Sequence, residues 1–217
     1  MSIRVLLADD HAVVRDGLRM VLDAESGIEV VAAVSDGRKA VASARKLEPD
    51  VAVLDVAMPG LNGIDATSQI RRECPQTKVV ILSMYSTAEH IHRALCAGAS
   101  AYVLKESAGK EVVSAVRAAD DDRHYLSQRI TETVIADYIR PGHGNTPKSP
   151  LMSLSDRERE VLQLVVEGKS SAEIAELIFL SPKTVETYRS RLMRKLNISD
   201  LPGLVKFAIQ HGITSAI

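Results

Sequence analysis

Cysteine is scarce: Cys74 and Cys96 are the only two in 217 residues. Two isolated thiols supply neither a disulfide framework nor a metal-ligand spacing, and reduced thiols in a cytoplasmic protein are the expectation. The six histidines are scattered, and His90 and His92, two positions apart, do not share a helix face. No apolar run reaches the ~20 residues that span a bilayer, and Asp9-Asp10 interrupt the N-terminus too early for a signal peptide. Internal repeats and low-complexity tracts are missing. So is any excess of one charge, since 27 Lys and Arg face 28 Asp and Glu. These absences argue against a secreted disulfide scaffold and a membrane protein, and they leave a soluble, intracellular chain.

What is present is unevenly distributed. Residues 1–126 carry 15 Lys/Arg against 18 Asp/Glu, a net of −3, whereas residues 177–217 carry 6 against 2, a net of +4. A basic C-terminal end on a balanced chain points to nucleic acid there. With 46% hydrophobic residues the chain can bury one large core or two modest ones.

The first 126 residues alternate strand and helix signals. Strands are predicted at 4–8, 29–34, 51–55, 79–83 and 101–104, with helices near 12–24, 37–47, 62–73, 87–97 and 107–120. Short loops between them predict an α/β domain, a doubly wound five-stranded parallel sheet with helices on both faces. The flavodoxin-like strand order 2-1-3-4-5 places its ligand crevice beyond the C-terminal strand ends. Residues 127–139 read as one more helix, and RPGHGNTPKSP (140–150), devoid of apolar residues, reads as a flexible linker. The predicted division is 1–122, a helical then flexible connection over 123–150, and an all-α domain over 151–217.

Chemistry gathers at the strand ends. Asp9-Asp10 follow VLLA, Asp55 closes VAVLD, Ser83 closes VVILS and Lys105 follows AYVL. An isolated Asp after a strand is most often a turn former or helix cap. Four strand ends that deliver three carboxylates, a hydroxyl and an ammonium to one crevice are a different matter. Clustered carboxylates repel, and a hard divalent cation such as Mg2+ relieves them while leaving coordination sites for phosphate oxygens. Asp10 is expected to bind Mg2+ directly, Asp9 directly or through water, and Ala57 through its backbone carbonyl. Asp55 is then placed to be phosphorylated.

This set, with Met58-Pro59-Gly60 after Asp55, resembles the receiver domain of two-component response regulators over residues 1 to about 122. The resemblance implies that Asp55 is the phosphoacceptor and that Asp9 and Asp10 bind the metal. It makes Ser83 the switch hydroxyl, Lys105 the phosphate-pairing lysine and Tyr102 the switch aromatic. From the residues alone Tyr102 is a half-exposed sheet residue. Met84 stands where many receivers carry a small residue. A haloacid-dehalogenase-type phosphatase gathers similar groups but needs D-x-D, and His11 occupies the required second position.

In the C-terminal part, Ser155-x-x-Glu158 and Ser170-x-x-Glu173 read as capping boxes, and Ser181-Pro182 as an N-cap with proline at the first helical position. Gly168 ends the first helix, and a third is predicted from Pro182 to about Leu196. Two short helices, the second basic, describe a helix-turn-helix. Val185, Leu192 and Leu196, with Tyr188 and Met193, are predicted to face inward; Lys183, Arg189, Arg191, Arg194 and Lys195 are predicted to face phosphates. Residues 154–198 resemble the LuxR-type DNA-binding domain, and the whole chain is similar to the NarL/FixJ subfamily of transcriptional regulators. That resemblance makes Lys183, Glu186, Thr187 and Ser190 the groove-facing positions and Thr184 a phosphate contact. Glu186 replaces a frequent lysine; an acid can accept from a cytosine amino group. A last helix, 201–210, carries Leu204, Val205, Phe207 and Ala208, which the family uses in dimerisation and which also suit internal packing. The implied partners are a sensor histidine kinase, double-stranded DNA and a second copy of the chain, with a constitutive dimer insensitive to phosphorylation as the alternative.

Overall fold

The computed structural model describes residues 2–139 and 149–214. Six strands, β1 (Ile3–Ala8), β2 (Ile28–Val34), β3 (Val51–Asp55), β4 (Lys78–Ser83), β5 (Ala101–Leu104) and β6 (Tyr125–Leu126), form a sheet ordered β2-β1-β3-β4-β5-β6. All pairings are parallel. The expected order of the first five strands is observed, and β6 corrects the strand count from five to six. Two residues are too few to print an alternating pattern in the sequence.

Side chains alternate across the sheet. Val5, Leu7, Val51, Val53, Val80 and Leu82 face α1 (Ala12–Asp23) and α5 (Ala108–Asp120). Leu6, Ala8, Ala52, Leu54 and Ile81 face α2 (Gly37–Leu47), α3 (Gly63–Glu73) and α4 (Ala88–Cys96). Burial on both faces explains why β3 is a continuous apolar run with every residue buried. The register pairs Ala8 with Leu54, Asp55 with Leu82 and Ser83 with Leu104. Strand ends are therefore level, and the residues just beyond them meet at one edge. The α3 start lies very close to β3: a Cβ on Gly63 would sit 2.0 Å from the Asp55 carbonyl oxygen. Asn62 caps that helix by accepting from the Asp65 N–H at 2.9 Å.

The segment after α5 is helical as expected, but it packs on this first unit. α6 (Gln128–Ile139) buries Ile130 in the core beside Leu126 and Val134. The linker reading falls mostly on residues 140–148, which lie outside the described residues.

The second unit begins with a short 3-10 turn at Pro150–Ser153 and continues through α7 (Asp156–Val166), α8 (Ser171–Ile178), α9 (Pro182–Leu196) and α10 (Leu201–Gln210). Both capping boxes form, the N-cap serines accepting from the Glu158 and Glu173 N–H groups. Ser181 caps α9 through the Thr184 N–H, with Pro182 in the first turn. Val185 and Leu192 are fully buried, with Tyr188, Met193 and Leu196 packed against the same core. In α10, Leu204 and Ala208 are also fully buried in that core. These two hold the domain together and are removed from the expected dimer surface; the apolar face that α10 leaves outward is Leu201, Val205 and Ile209.

Candidate functional site

Asp9 and Asp55 are almost wholly buried, and the Lys105 Nζ lies 2.8 Å from an Oδ2 of each. Burial opposes charge on Lys105, but the two carboxylates outweigh it and hold its pKa above the ordinary lysine value. For Asp55 burial is the largest influence; it pushes the pKa up to about 6 despite Lys105 and a hydrogen bond from the Ala57 backbone. One ammonium is thus too little compensation for the carboxylates. One ligand atom each from Asp9, Asp10, His11 and Asp55 fall within 4.8 Å of one another. Asp9 Oδ2 and Asp55 Oδ2 share the single Lys105 ammonium, and Asp10 Oδ1 is met by the His11 ring. A hard divalent cation with oxygen ligands fits this set. His11 was not singled out in the sequence; its N–H donates to Asp9 Oδ1 at 2.9 Å and its Nδ1 lies 2.7 Å from Asp10 Oδ1.

Ser83 is fully buried at the end of β4, where its Oγ accepts from the Tyr85 N–H at 2.9 Å. Tyr102 differs from the half-exposed reading. Its side chain is fully buried, and its hydroxyl donates to the Tyr85 carbonyl at 2.8 Å. Because β6 and α6 extend the layer beyond β5, Tyr102 is an interior residue. Burial raises its phenol pKa to about 12, with the Ser83 hydroxyl opposing.

The second candidate surface is the outward face of α9. Lys183, Glu186, Thr187, Ser190, Arg191 and Arg194 are exposed, while Thr184 and Arg189 are half-buried. Four side chains of α9 already have partners, Thr184 among them through the Ser181 hydroxyl at 2.8 Å. Lys195, expected toward phosphates, lies 2.7 Å from Glu158 Oε2 and 3.1 Å from the Ser153 carbonyl. Glu186 accepts from the Ser171 hydroxyl and so ties α9 to α8. The Thr187 hydroxyl donates to the Lys183 carbonyl at 2.9 Å within its own helix.

The two units are joined by polar contacts that the sequence did not reveal. Gln163, fully buried on α7, accepts from the Asn62 N–H at 2.8 Å and donates to the Met58 carbonyl at 2.8 Å. The Gly60 N–H donates to Glu167 at 2.9 Å. Arg159 pairs with Asp65, and Arg38 with Glu160, each at 2.7 Å. α7 therefore grips the loop that follows Asp55. A cavity of about 620 Å³ remains between Asp10, Ala57 and Met58 on one side and Glu167, Val205 and Ile209 on the other. A glutamine inside the apolar run VLQLVV was the one available signal.

Comparison with known proteins identifies both units. Residues 5–117 match the response regulator receiver domain, and residues 152–208 match the bacterial regulatory proteins of the luxR family. The chain is 37% identical over 216 residues to the transcriptional regulatory protein MctR of Rhizobium johnstonii, covering 100% of this chain and 97% of that one. It is 37% identical over 210 residues to the oxygen regulatory protein NreC of Staphylococcus carnosus, covering 95% and 97%. Among solved structures, the Salmonella typhimurium RcsB response regulator is similar, at 26% identity and a TM-score of 0.60 over 95% of this chain and 97% of that one. RcsB in complex with DNA matches at 25% identity and 0.59, over 95% and 98%. An acid cluster at level strand ends, carried in front of a helix-turn-helix, thus has its counterpart in a known class: the chain belongs to the NarL/FixJ-type response regulators, transcription factors that join a receiver domain to a LuxR-type DNA-binding domain.

Proposed function

We propose that Asp55 is the residue that receives the phosphoryl group, and that its modification governs binding of double-stranded DNA by α9. The observation that carries this reading is the placement of Lys105 against Asp55 and Asp9 in a buried, under-compensated acid cluster. An Asp55 carboxylate oxygen attacks phosphorus in the phosphohistidine of a sensor kinase. The new bond is O–P; the P–N bond breaks and its electrons return to the imidazole, which takes up a proton. Asp9, Asp10, Asp55 and the Ala57 carbonyl would hold Mg2+, which supplies charge neutralisation at the transferring phosphoryl group. Lys105 is already positioned to pair with a phosphoryl oxygen, and Ser83 supplies a hydroxyl at the next strand end.

In the DNA-binding domain, Lys183, Arg191 and Arg194 are free to meet phosphates, with Thr184 and Arg189 beside them. Lys183, Glu186, Thr187 and Ser190 line the face that enters the major groove. Glu186 reads base edges only after leaving Ser171. Once the cavity between the two units opens, a second copy would meet the first along Leu201, Val205 and Ile209, which presents two α9 helices to paired half-sites. RcsB in complex with DNA supports this reading by likeness.

The test uses a duplex selected from random sequence by the phosphodonor-treated chain. Acetyl phosphate with Mg2+ is expected to raise affinity for that duplex in the parent chain and leave Asp55→Asn unresponsive. An equal rise in Asp55→Asn would overturn the assignment, and a dimer unaffected by beryllofluoride would favour constitutive dimerisation.

A further inference from the structure

The DNA-binding domain is held at a second place, far along the chain from α7. Glu89 on α4 accepts from the Ser149 hydroxyl at the start of that domain, and it lies 2.7 Å from His211 Nδ1 at the domain's far end. Arg93, one helical turn on, donates to the His211 carbonyl at 2.8 Å. Between these contacts the turn at Gly212 rests directly on the receiver. A Cβ at Gly212 would lie 2.4 Å from His90 Nε2 and 3.3 Å from the Tyr85 ring, and its φ is +61°. The seat it occupies is a stacked pair: the Tyr85 and His90 rings lie 4.5 Å apart and 8° from parallel.

Tyr85 links this seat to the ends of β4 and β5. Its N–H is held by Ser83 Oγ and its carbonyl by the Tyr102 hydroxyl. Tyr102 is already fully inside, so it has no inward swing left to make. The β4–α4 loop, with Met84 exposed and Tyr85 half-buried, is the part still able to move. Because Ser83 Oγ accepts from the Tyr85 N–H, turning that hydroxyl toward a phosphoryl group removes one of the two hydrogen bonds on the Tyr85 backbone.

We propose that Tyr85, rather than Tyr102, is the moving part that transmits phosphorylation of Asp55 to the DNA-binding domain, by withdrawing the Tyr85–His90 seat from under Gly212. Tyr85 acts here as a positioning residue, and the proposal rests on the reading of Asp55 as phosphoacceptor. With the seat gone, Glu89 and Arg93 are what holds this end of the DNA-binding domain among the described residues, and the Gly212 turn lets go.

The experiment is amide hydrogen exchange on the full chain, with and without beryllofluoride and Mg2+, read in peptides covering 205–214, 56–64 and 112–119. Asp55 phosphorylation by acetyl phosphate is followed in parallel by intact mass. In the parent chain, exchange at 205–214 is expected to rise at least about tenfold with beryllofluoride. Tyr85→Leu keeps the backbone bonds and loses the stack; it is expected to show the raised exchange without beryllofluoride and little further change with it. Gly212→Ala, which leaves the receiver's own residues intact, is expected to do the same while Asp55 is phosphorylated at the parent rate. The 56–64 peptide of Gly212→Ala reports on the α7 contact, and a peptide covering 112–119 of α5, inside the receiver core, reports that the receiver remains folded. If both variants protect 205–214 as the parent does and still respond to beryllofluoride, the proposal is overturned. A parent chain that acquires the adduct without any change at 205–214 overturns it as well. A parent chain that acquires no adduct instead overturns the reading of Asp55, and the two failures are thereby distinguished.

Discussion

Replacing Asp55 by Asn should stabilise the resting protein, although it removes the functional carboxylate. Burial raises the Asp55 pKa from the usual 3.8 to about 6, with Lys105 only partly compensating. Each tenfold change in proton affinity is worth ~1.4 kcal/mol, so the ionised folded form pays up to about 3 kcal/mol at neutral pH. The folded-state value is the raised one. Asp55 therefore favours folding fully below pH 3.8, and that contribution is lost as pH rises through about 6. Asn carries no charge and is indifferent to this change, while Lys105 keeps Asp9 at 2.8 Å. Urea unfolding in chelator at pH 8 should show Asp55→Asn more stable by roughly 1–3 kcal/mol, allowing for the partner Lys105 loses. The gap should close toward pH 4. Added Mg2+ should stabilise the parent more than the variant. If the variant is the less stable at pH 8, or if the gap is the same at pH 5 and pH 8, the carboxylate is not under-compensated and the argument for a cation fails.

Gln163→Leu removes the donor and acceptor that Met58 and Asn62 use, leaving both backbone groups buried and unpaired; Asn62 amide exchange should quicken about tenfold or more, corresponding to ~1–3 kcal/mol. Gly63→Ala places a methyl 2.0 Å from the Asp55 carbonyl oxygen and must displace β3 or α3; a loss of about 1–3 kcal/mol in stability and slower phosphorylation by acetyl phosphate should follow. Arg194→Ala should lower the slope of log affinity against log salt on a selected duplex by about 1. Lys195→Ala should leave that slope nearly unchanged and lower domain stability instead, because Lys195 is engaged with Glu158 and Ser153.

Much of this was legible in the residues because the determinants are local. Level strand ends need only short apolar runs closing on Asp9, Asp55, Ser83 and Lys105, and each run is buried on both faces, so each is unmistakably apolar. The starts of α7, α8 and α9 were written in Ser155, Ser170 and Ser181, whose caps depend on residues three positions on. What escaped notice depends on distant partners. β6 is too short to have a period, and without it Tyr102 looks like an edge residue. Leu204 and Ala208 read equally well as interface or core until the packing of α10 is known. Gln163, Glu167 and Arg159 look like ordinary polar helix residues, since nothing local says that Asn62, Gly60 and Asp65 wait opposite them. The partners of Lys195 and Glu186 are hidden for the same reason.

The most direct measurement is intact and peptide mass analysis of the full chain after acetyl phosphate and Mg2+. A single acid-labile phosphoryl adduct on the peptide containing Asp55, abolished by chelator and greatly slowed in Lys105→Ala, is the expected result. No adduct under any phosphodonor, or one that maps to another residue and persists in Asp55→Asn, would contradict it.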